Sequence, residues 1–301
     1  MRKSKEVKII MTKIIMDSTS DLPKNIIEKY DIDILPLRVY VDNKEYLDKI
    51  TILVEQVYDL MRKGISPKTS LPSPGEIYNL FSKYASRGED FIYYSFSSEL
   101  SATYQTSKII IEELKKEYPN VKMEVIDTKA GSLASGLIVL QGAKLSEAGV
   151  SFEEIVSISK ENTENIEHIF TIDDLSWLLK GGRISKGSAI IGSVLNIKPI
   201  LDVEKGKIAV IGKIRGRERA LTTVADIVQE RIKKFPNQII GITHADDIKA
   251  ALKMKDILTE KIGYSNVILE KIGSVLGSHL GIGGVGVFFL NKPSNLYINE
   301  P

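Results

Sequence analysis

A chain of 301 residues with no cysteine excludes disulfide stapling, zinc–thiolate sites and thiol nucleophiles. Its 43% hydrophobic and 27% charged residues are the composition of a globular protein with one large or two ordinary domains. A formal net charge of +2 is too small to argue for a nucleic-acid or membrane partner, so any basic site must come from local clustering.

The N-terminal stretch "MRKSKEVKIIMTKIIM" is basic, but Lys13 interrupts its apolar part and no small-residue cleavage site follows, which predicts a cytoplasmic protein. Met11 offers a second start site, and residues 1–11 are then expected to be a disordered leader. Short β-rich runs at 13–19, 89–95 and 122–128 alternate with helical periods near 54–63, 76–86, 102–117 and 132–148. That alternation predicts βαβ units and a mostly parallel sheet in an N-terminal α/β domain, 12–149. Ser151 with Glu154 offers a capping box at the start of a second α/β domain, 150–301. There, strands are expected at 168–172, 198–203, 207–212 and 237–244, with helices at 217–234 and after Asp246. The "EKGK" turn makes 198–203 and 207–212 a hairpin, so this second sheet is expected to be mixed. "SAIIGSVLNI", 188–197, is too short to span a bilayer and suits a buried helix.

Two glycine motifs suggest a nucleotide site and fail in context. Gly281, Gly283 and Gly286 fit G-x-G-x-x-G, but "VGVFFL" after them reads as a strand and too little chain follows for a βαβ unit. In "GRISKGS" a serine, Ser188, stands where the P-loop lysine is required, and the preceding "DDLSWLLKGG" reads as a helix rather than a strand.

Hydroxyl residues gather at three helix starts. In "KTSLPSPGE", Ser73, Pro74 and Glu76 satisfy a capping box, which leaves Thr69 and Ser70 without a structural duty. In "SFSSELSATYQT", Ser97, Ser98 and Ser101 lie between a strand and the next helix, at the end of the sheet where α/β proteins place ligands. Ser101 can cap that helix or present a hydroxyl to an anion. "DSTSDLP" has the same placement, but Asp17 and Asp21 make it a poor anion site, and capping accounts for it. Around His279, Gly277 and Gly281 let the backbone approach a ligand closely. A threonine, a serine and a histidine from separate loops can all donate to one carboxylate or phosphate. His168 and His244 lack a comparable context.

These residues carry a resemblance to the DegV family, bacterial proteins that bind long-chain fatty acids, some as the fatty-acid-binding subunit of fatty acid kinase. The motifs "KIIMDSTSDLP", "KTSLPSPGE", "SSELSATYQ", "VIDTKAGS", "LLKGGRIS", "KPIL", "RGRERA" and "GSHLGIG" follow one another from Thr12 to about Leu290. The resemblance implies two α/β domains, an acyl chain buried near their interface, and a carboxylate held by Thr69, Ser101 and His279. Ser70, Ser97, Ser98, Gly277 and Gly281 would support those loops. It further implies a separate ATP-binding kinase subunit that converts the acid to acyl-phosphate, with no cofactor, metal or catalytic residue on this chain. The family usually has glycine where Glu99 and Ala102 stand, and proline where Ile282 stands.

The basic stretches "LLKGGRISK" and "KIRGRERA" read either as solvated faces or, through Arg183 and Arg215, as a docking site for an acidic partner or a transient membrane contact. A rival function remains open at this stage. Ser101 as nucleophile and His279 as base would make a hydrolase or phosphotransferase, if Asp17 or Asp127 orients the imidazole.

Overall fold

The computed structural model describes residues 11–185, 196–263 and 266–299. The leader (Met11 apart), most of the helix expected at 188–197, and Lys186 lie outside them. The first half runs β1 (Lys13–Asp17), α1 (Lys24–Lys29), β2 (Asp33–Leu35), β3 (Arg38–Val41), β4 (Lys44–Leu47), α2 (Val54–Arg62), β5 (Lys68–Ser70), α3 (Pro74–Ala85), β6 (Phe91–Ser95), α4 (Thr103–Glu117), β7 (Met123–Asp127) and α5 (Ser132–Glu147). The second runs α6 (Phe152–Asn165), β8 (Ile166–Thr171), α7 (Ser176–Lys180), β9 (Ile197–Glu204), β10 (Lys207–Arg215), α8 (Arg217–Arg231), β11 (Ile240–His244), α9 (Ile248–Ile262), β12 (Val267–Lys271), α10 (Ser274–Leu280) and β13 (Val285–Leu290).

The fold is α/β with the two expected kinds of sheet. One, in the order β2-β1-β6-β7, is parallel throughout. The other, β10-β9-β8-β13-β11-β12, is mixed: β11 and β12 pair in parallel and the remaining pairs are antiparallel. The β9–β10 hairpin closes on Lys205 and Gly206, both at positive φ, where the "EKGK" signal placed its turn. A third, unexpected sheet, β4-β3-β5, is antiparallel and has its hairpin turn at Asp42 and Asn43.

Helix α5 joins the two larger sheets. "SLASGLIVLQGAKLSE" is apolar or small on every side, so it has no solvent face, and its residues 132–146 are buried. One hydrophobic cluster includes Met16 and Ile92 of the parallel sheet, Leu133, Leu137 and Leu140 of α5, and Phe288 of the mixed sheet.

Local signals act as their chemistry requires. Ser73 Oγ accepts the Glu76 N–H at 3.3 Å, and the Glu76 carboxylate accepts the Ser73 N–H at 2.7 Å. Arg38 of β3 reaches the same carboxylate at 2.6 Å, which ties the small sheet to α3. Ser151 caps α6, taking the Glu154 N–H at 3.4 Å. Asp17 caps the turn after β1, accepting the Thr19 N–H at 3.0 Å.

Replacing Leu133, fully buried in α5, with alanine is expected to lower unfolding free energy by about 2–5 kcal/mol. Urea denaturation checks this: the midpoint should fall while the slope stays unchanged.

Candidate ligand-binding site

Thr69 sits on β5, paired with Val39 of β3, and His279 sits in the last turn of α10. Their side chains meet, with Thr69 Oγ1 2.7 Å from His279 Nε2. Gly181 backs the imidazole so closely that a Cβ there would stand 2.2 Å from Nδ1. Only glycine fits, which gives the first glycine of "KGGRIS" a steric reason. Burial first, and the nearby Arg183 cation second, push the His279 pKa down to about 4. The ring is therefore neutral near pH 7, with one donor and one acceptor nitrogen.

Ser101 arrives on the loop between β6 and α4. Neighbouring strand ends hold this loop by its amides: Asp17 accepts the Phe96 N–H at 2.5 Å, and Asp127 accepts the Ser98 N–H at 3.1 Å. Ser101 Oγ lies 2.8 Å from Thr103 Oγ1 and accepts the Thr103 N–H at 3.3 Å, although Ala102 occupies the N-cap position itself. The Ser101 hydroxyl thus braces the start of α4 on a residue that lines the cavity.

All three residues line one cavity of about 640 Å³. Exposed Glu99, Ala102 and Gln105 form part of its rim. Its floor is a face of the mixed sheet: His168, Phe170 and Ile172 follow one another along β8 and its end, and Val203 and Ile208 extend the floor onto the hairpin. Alternation along each strand puts these side chains on one side. Opposite Phe170, β13 presents Gly286, and Gly284 precedes that strand, so the floor is left without side chains at both positions. At Gly286 the room is taken by the Phe288 ring, which a Cβ there would meet at 2.7 Å, so this glycine lets an aromatic ring lie on the apolar sheet. The strand Val285–Leu290 follows it, as the rejection of a dinucleotide site required.

Of the expected supporting residues, Ser70 and Ser98 line the cavity. Ser97 does not: its hydroxyl donates to Gly206 O at 2.8 Å and pins the loop to the β9–β10 turn. Gly277 lies within α10 rather than in a loop, packed where a Cβ would stand 2.5 Å from the Tyr58 hydroxyl. Gly281 ends α10 at φ +75, against Trp177.

The two arginines separate. Arg215 is exposed at the end of β10. Arg183 is half-buried, lines the cavity, and donates to Gly181 O at 2.6 Å and Leu100 O at 3.3 Å. No carboxylate among the described residues pairs with it, and burial lowers its pKa. Of the other basic residues, Arg217 pairs with Asp247 at 3.1 Å and Asp173 at 3.5 Å. His168, which carried no signal in the sequence, is a buried residue of the cavity floor.

The rival Ser101–His279 nucleophile pair is not assembled. His279 Nε2 bonds Thr69, and Ser101 bonds Thr103. Asp17 and Asp127, the two acids available to orient the imidazole, are occupied with loop amides instead. A neighbouring cation at His279 also makes it a weaker base. No helix among the described residues is long and apolar enough to cross a membrane.

Known proteins match this chain along nearly its whole length. The family model described as "uncharacterised protein, DegV family" matches residues 11–292. A DegV domain-containing protein of Clostridium perfringens is 38% identical over 280 residues, 92% of this chain and 96% of its own. The crystal structure of a fatty acid binding DegV family protein from Streptococcus agalactiae superposes with a TM-score of 0.84 at 30% identity, covering 94% of this chain and 100% of that one. A stearic acid-binding protein from Eubacterium ventriosum superposes with a TM-score of 0.85 at 26% identity, covering 92% and 97%. With nearly its whole length matched by sequence and by fold, this chain belongs to the DegV family.

Proposed function

We propose that the chain binds one long-chain fatty acid, its carboxylate at Thr69, Ser101 and His279 and its acyl chain along the floor of the mixed sheet. The observation that carries this reading is the cavity itself. A largely apolar floor leads away from a group of neutral donors, beside an arginine that no carboxylate among the described residues pairs with. The fatty-acid-binding proteins of the same fold support it.

Each buried methylene contributes roughly 0.8 kcal/mol, so the tail supplies most of the affinity and the head group sets orientation. Neutral donors hold the carboxylate without the bidentate clamp an arginine pair would impose. Arg183, committed in part to main-chain carbonyls, adds a favourable field. The acid oxygen is then open to a separate ATP-dependent kinase subunit in the cytoplasm, for conversion to acyl-phosphate. Arg215 on the exposed hairpin and Arg183 at the cavity are the cations offered to that subunit or, transiently, to a membrane surface.

Organic extraction of the purified protein followed by mass spectrometry is expected to release a straight-chain fatty acid in near one-to-one amount. An extract without one counts against the reading. Thr69→Ala and His279→Ala should retain less acid. Ser101→Ala should lower acyl-phosphate formation with a kinase subunit more than it lowers retention, and equal phosphorylation by variant and wild type would reject its role.

His279 also makes a prediction about acid stability. Its folded pKa, about 4, lies below the ordinary 6.5. Protons therefore favour the unfolded chain in that window: the contribution is present above pH 6.5 and is lost as pH falls through 4. Asp17 and Asp21, raised to about 6 by burial, have the opposite sign and cancel when a variant is compared with wild type. Thermal melts of His279→Gln should lose less stability than wild type between pH 6.5 and 4, by about 2 kcal/mol. Parallel curves would remove the neutral-imidazole assignment.

A further inference from the structure

We infer that the tip of the β9–β10 hairpin is a latched flap that gates passage of the acyl chain into and out of the cavity. The inference rests on the fatty-acid reading above and adds to it how the ligand exchanges. The hairpin divides into two parts at one level of the mixed sheet. At its root, Ile200 and Leu201 of β9 pair with Thr171 and Phe170 of β8 as well as with β10. Beyond Leu201 no further β8–β9 pair follows among the described residues, so 202–210 is paired only within the hairpin. β10 is the outermost strand of this sheet and carries a bulge at the same level, between Val210 and Gly212. A bulge bends its strand and ends or re-aims pairing. Where β9 leaves β8, Arg231 spans the gap, 2.6 Å from Glu167 of β8 and 2.6 Å from Asp202 of β9. Both strands of the hairpin thus break at one hinge line.

The tip is held by the β6–α4 loop instead. Ser97, fully buried, donates to Gly206 O at 2.8 Å, and Glu99 pairs with Lys207 at 3.2 Å. A Cβ on Gly206 would stand 2.6 Å from Ser97 Oγ and 3.1 Å from Glu99 Cγ, so a side chain there would hold the tip off. The inner face of the flap is cavity wall. Val203 and Ile208 pair across the hairpin beside the turn and line the cavity, and with Val210 they pack on the cluster of Phe170, Leu178 and Leu201. On the loop side, Ser98, Glu99 and Leu100 line the cavity. The latch therefore joins floor to rim along one side. Lifting the tip breaks one buried hydrogen bond and one exposed ion pair, the latter worth little. It opens the apolar floor sideways, so a long tail need not thread past the head-group donors. Neither Ser97 nor Gly206 lines the cavity, so the latch acts on entry and exit alike.

The absence of cysteine permits a clean test. Glu99→Cys with Lys207→Cys, joined by a short bismaleimide, locks the flap, and the same double variant left unjoined is the control. Stopped-flow fluorescence follows uptake of a conjugated octadecatetraenoic acid by the delipidated protein, and its release on addition of excess octadecanoic acid. The joined protein is expected to take up and to release the acid at least about tenfold more slowly than the unjoined one. Ser97→Ala is expected to speed uptake and release together by about two- to tenfold, the effect of losing one buried hydrogen bond. Equal rates in joined and unjoined protein would show that the chain passes elsewhere and would overturn the inference. Release that quickens in Ser97→Ala without faster uptake would overturn it as well, because Ser97 then holds the ligand rather than a gate. If wild type binds neither acid at equilibrium, the fatty-acid reading itself fails, a result distinct from binding at rates that the lock leaves unchanged.

Discussion

The buried carboxylate of Asp21 is the constraint on which the site's geometry depends. It accepts the Ser132 hydroxyl at 2.8 Å and the Gly273 N–H at 3.0 Å, with Lys49 3.6 Å away. Those contacts join the turn after β1, the first residue of α5 and the start of α10, elements from opposite ends of the chain. Asp21 itself is held at φ 47, a left-handed conformation that aspartate tolerates better than most residues. Its pKa is raised to about 6 because burial outweighs the help from Lys49 and the hydrogen bonds. A buried charge whose desolvation exceeds its compensation is a weak source of stability. Its consequence here is geometric: α10 begins where Asp21 holds Gly273, and His279 follows six residues later, in register with Thr69.

Given that anchor, the cavity follows from how three sheets meet. The parallel sheet contributes the β6–α4 loop with Ser101, the small antiparallel sheet contributes Thr69, and the mixed sheet supplies the floor. No single sheet could build the site. Its parts are 210 residues apart in the case of the Thr69–His279 bond, so the site's geometry is a property of the assembled fold. The polarity gradient has the same origin. Loops and helix ends carry unpaired donors and hydroxyls, whereas strands facing a packed layer carry apolar side chains.

The larger features were legible because their signals are local. Alternating apolar runs gave the parallel sheet, "EKGK" gave the hairpin of the mixed sheet, and Ser73 with Glu76 gave the start of α3. The small sheet was not read, although "VDNKEY" held its turn: Asp42 and Asn43 both sit at positive φ between two alternating strands. Its strands are only three or four residues long, too short to establish a period. His168 was missed for a different reason. Nothing beside it in sequence marks a site, and its place on the floor depends on pairing with β13, which lies 120 residues later. Arg183 was read together with Arg215, as a docking cation or a solvated face, because sequence cannot tell a half-buried arginine from an exposed one. The departures from the family pattern are accommodated locally: exposed Glu99 pairs with Lys207 at 3.2 Å, and Ile282 packs on the cluster around Val57 and Tyr58.

The glycine-dense stretch "GSVLGSHLGIGGVG" shows why motif spacing alone misleads. A nucleotide loop uses glycines to bring amides against phosphates at the start of a helix. Here the helix comes first and the glycines act after it, in two distinct ways. Gly281 ends α10 in a conformation closed to side chains, against Trp177, which fixes where His279 stops. Gly284 then precedes β13 against Ile172 and Ala245, and Gly286 within it lets the Phe288 ring lie where a side chain would stand. The residue type that elsewhere admits a phosphate to backbone donors here makes room over hydrocarbon. What separates the two outcomes is the strand that follows: Val285–Leu290 spends its amides on β8 and β11, leaving little to offer an anion and a broad apolar surface to offer a chain.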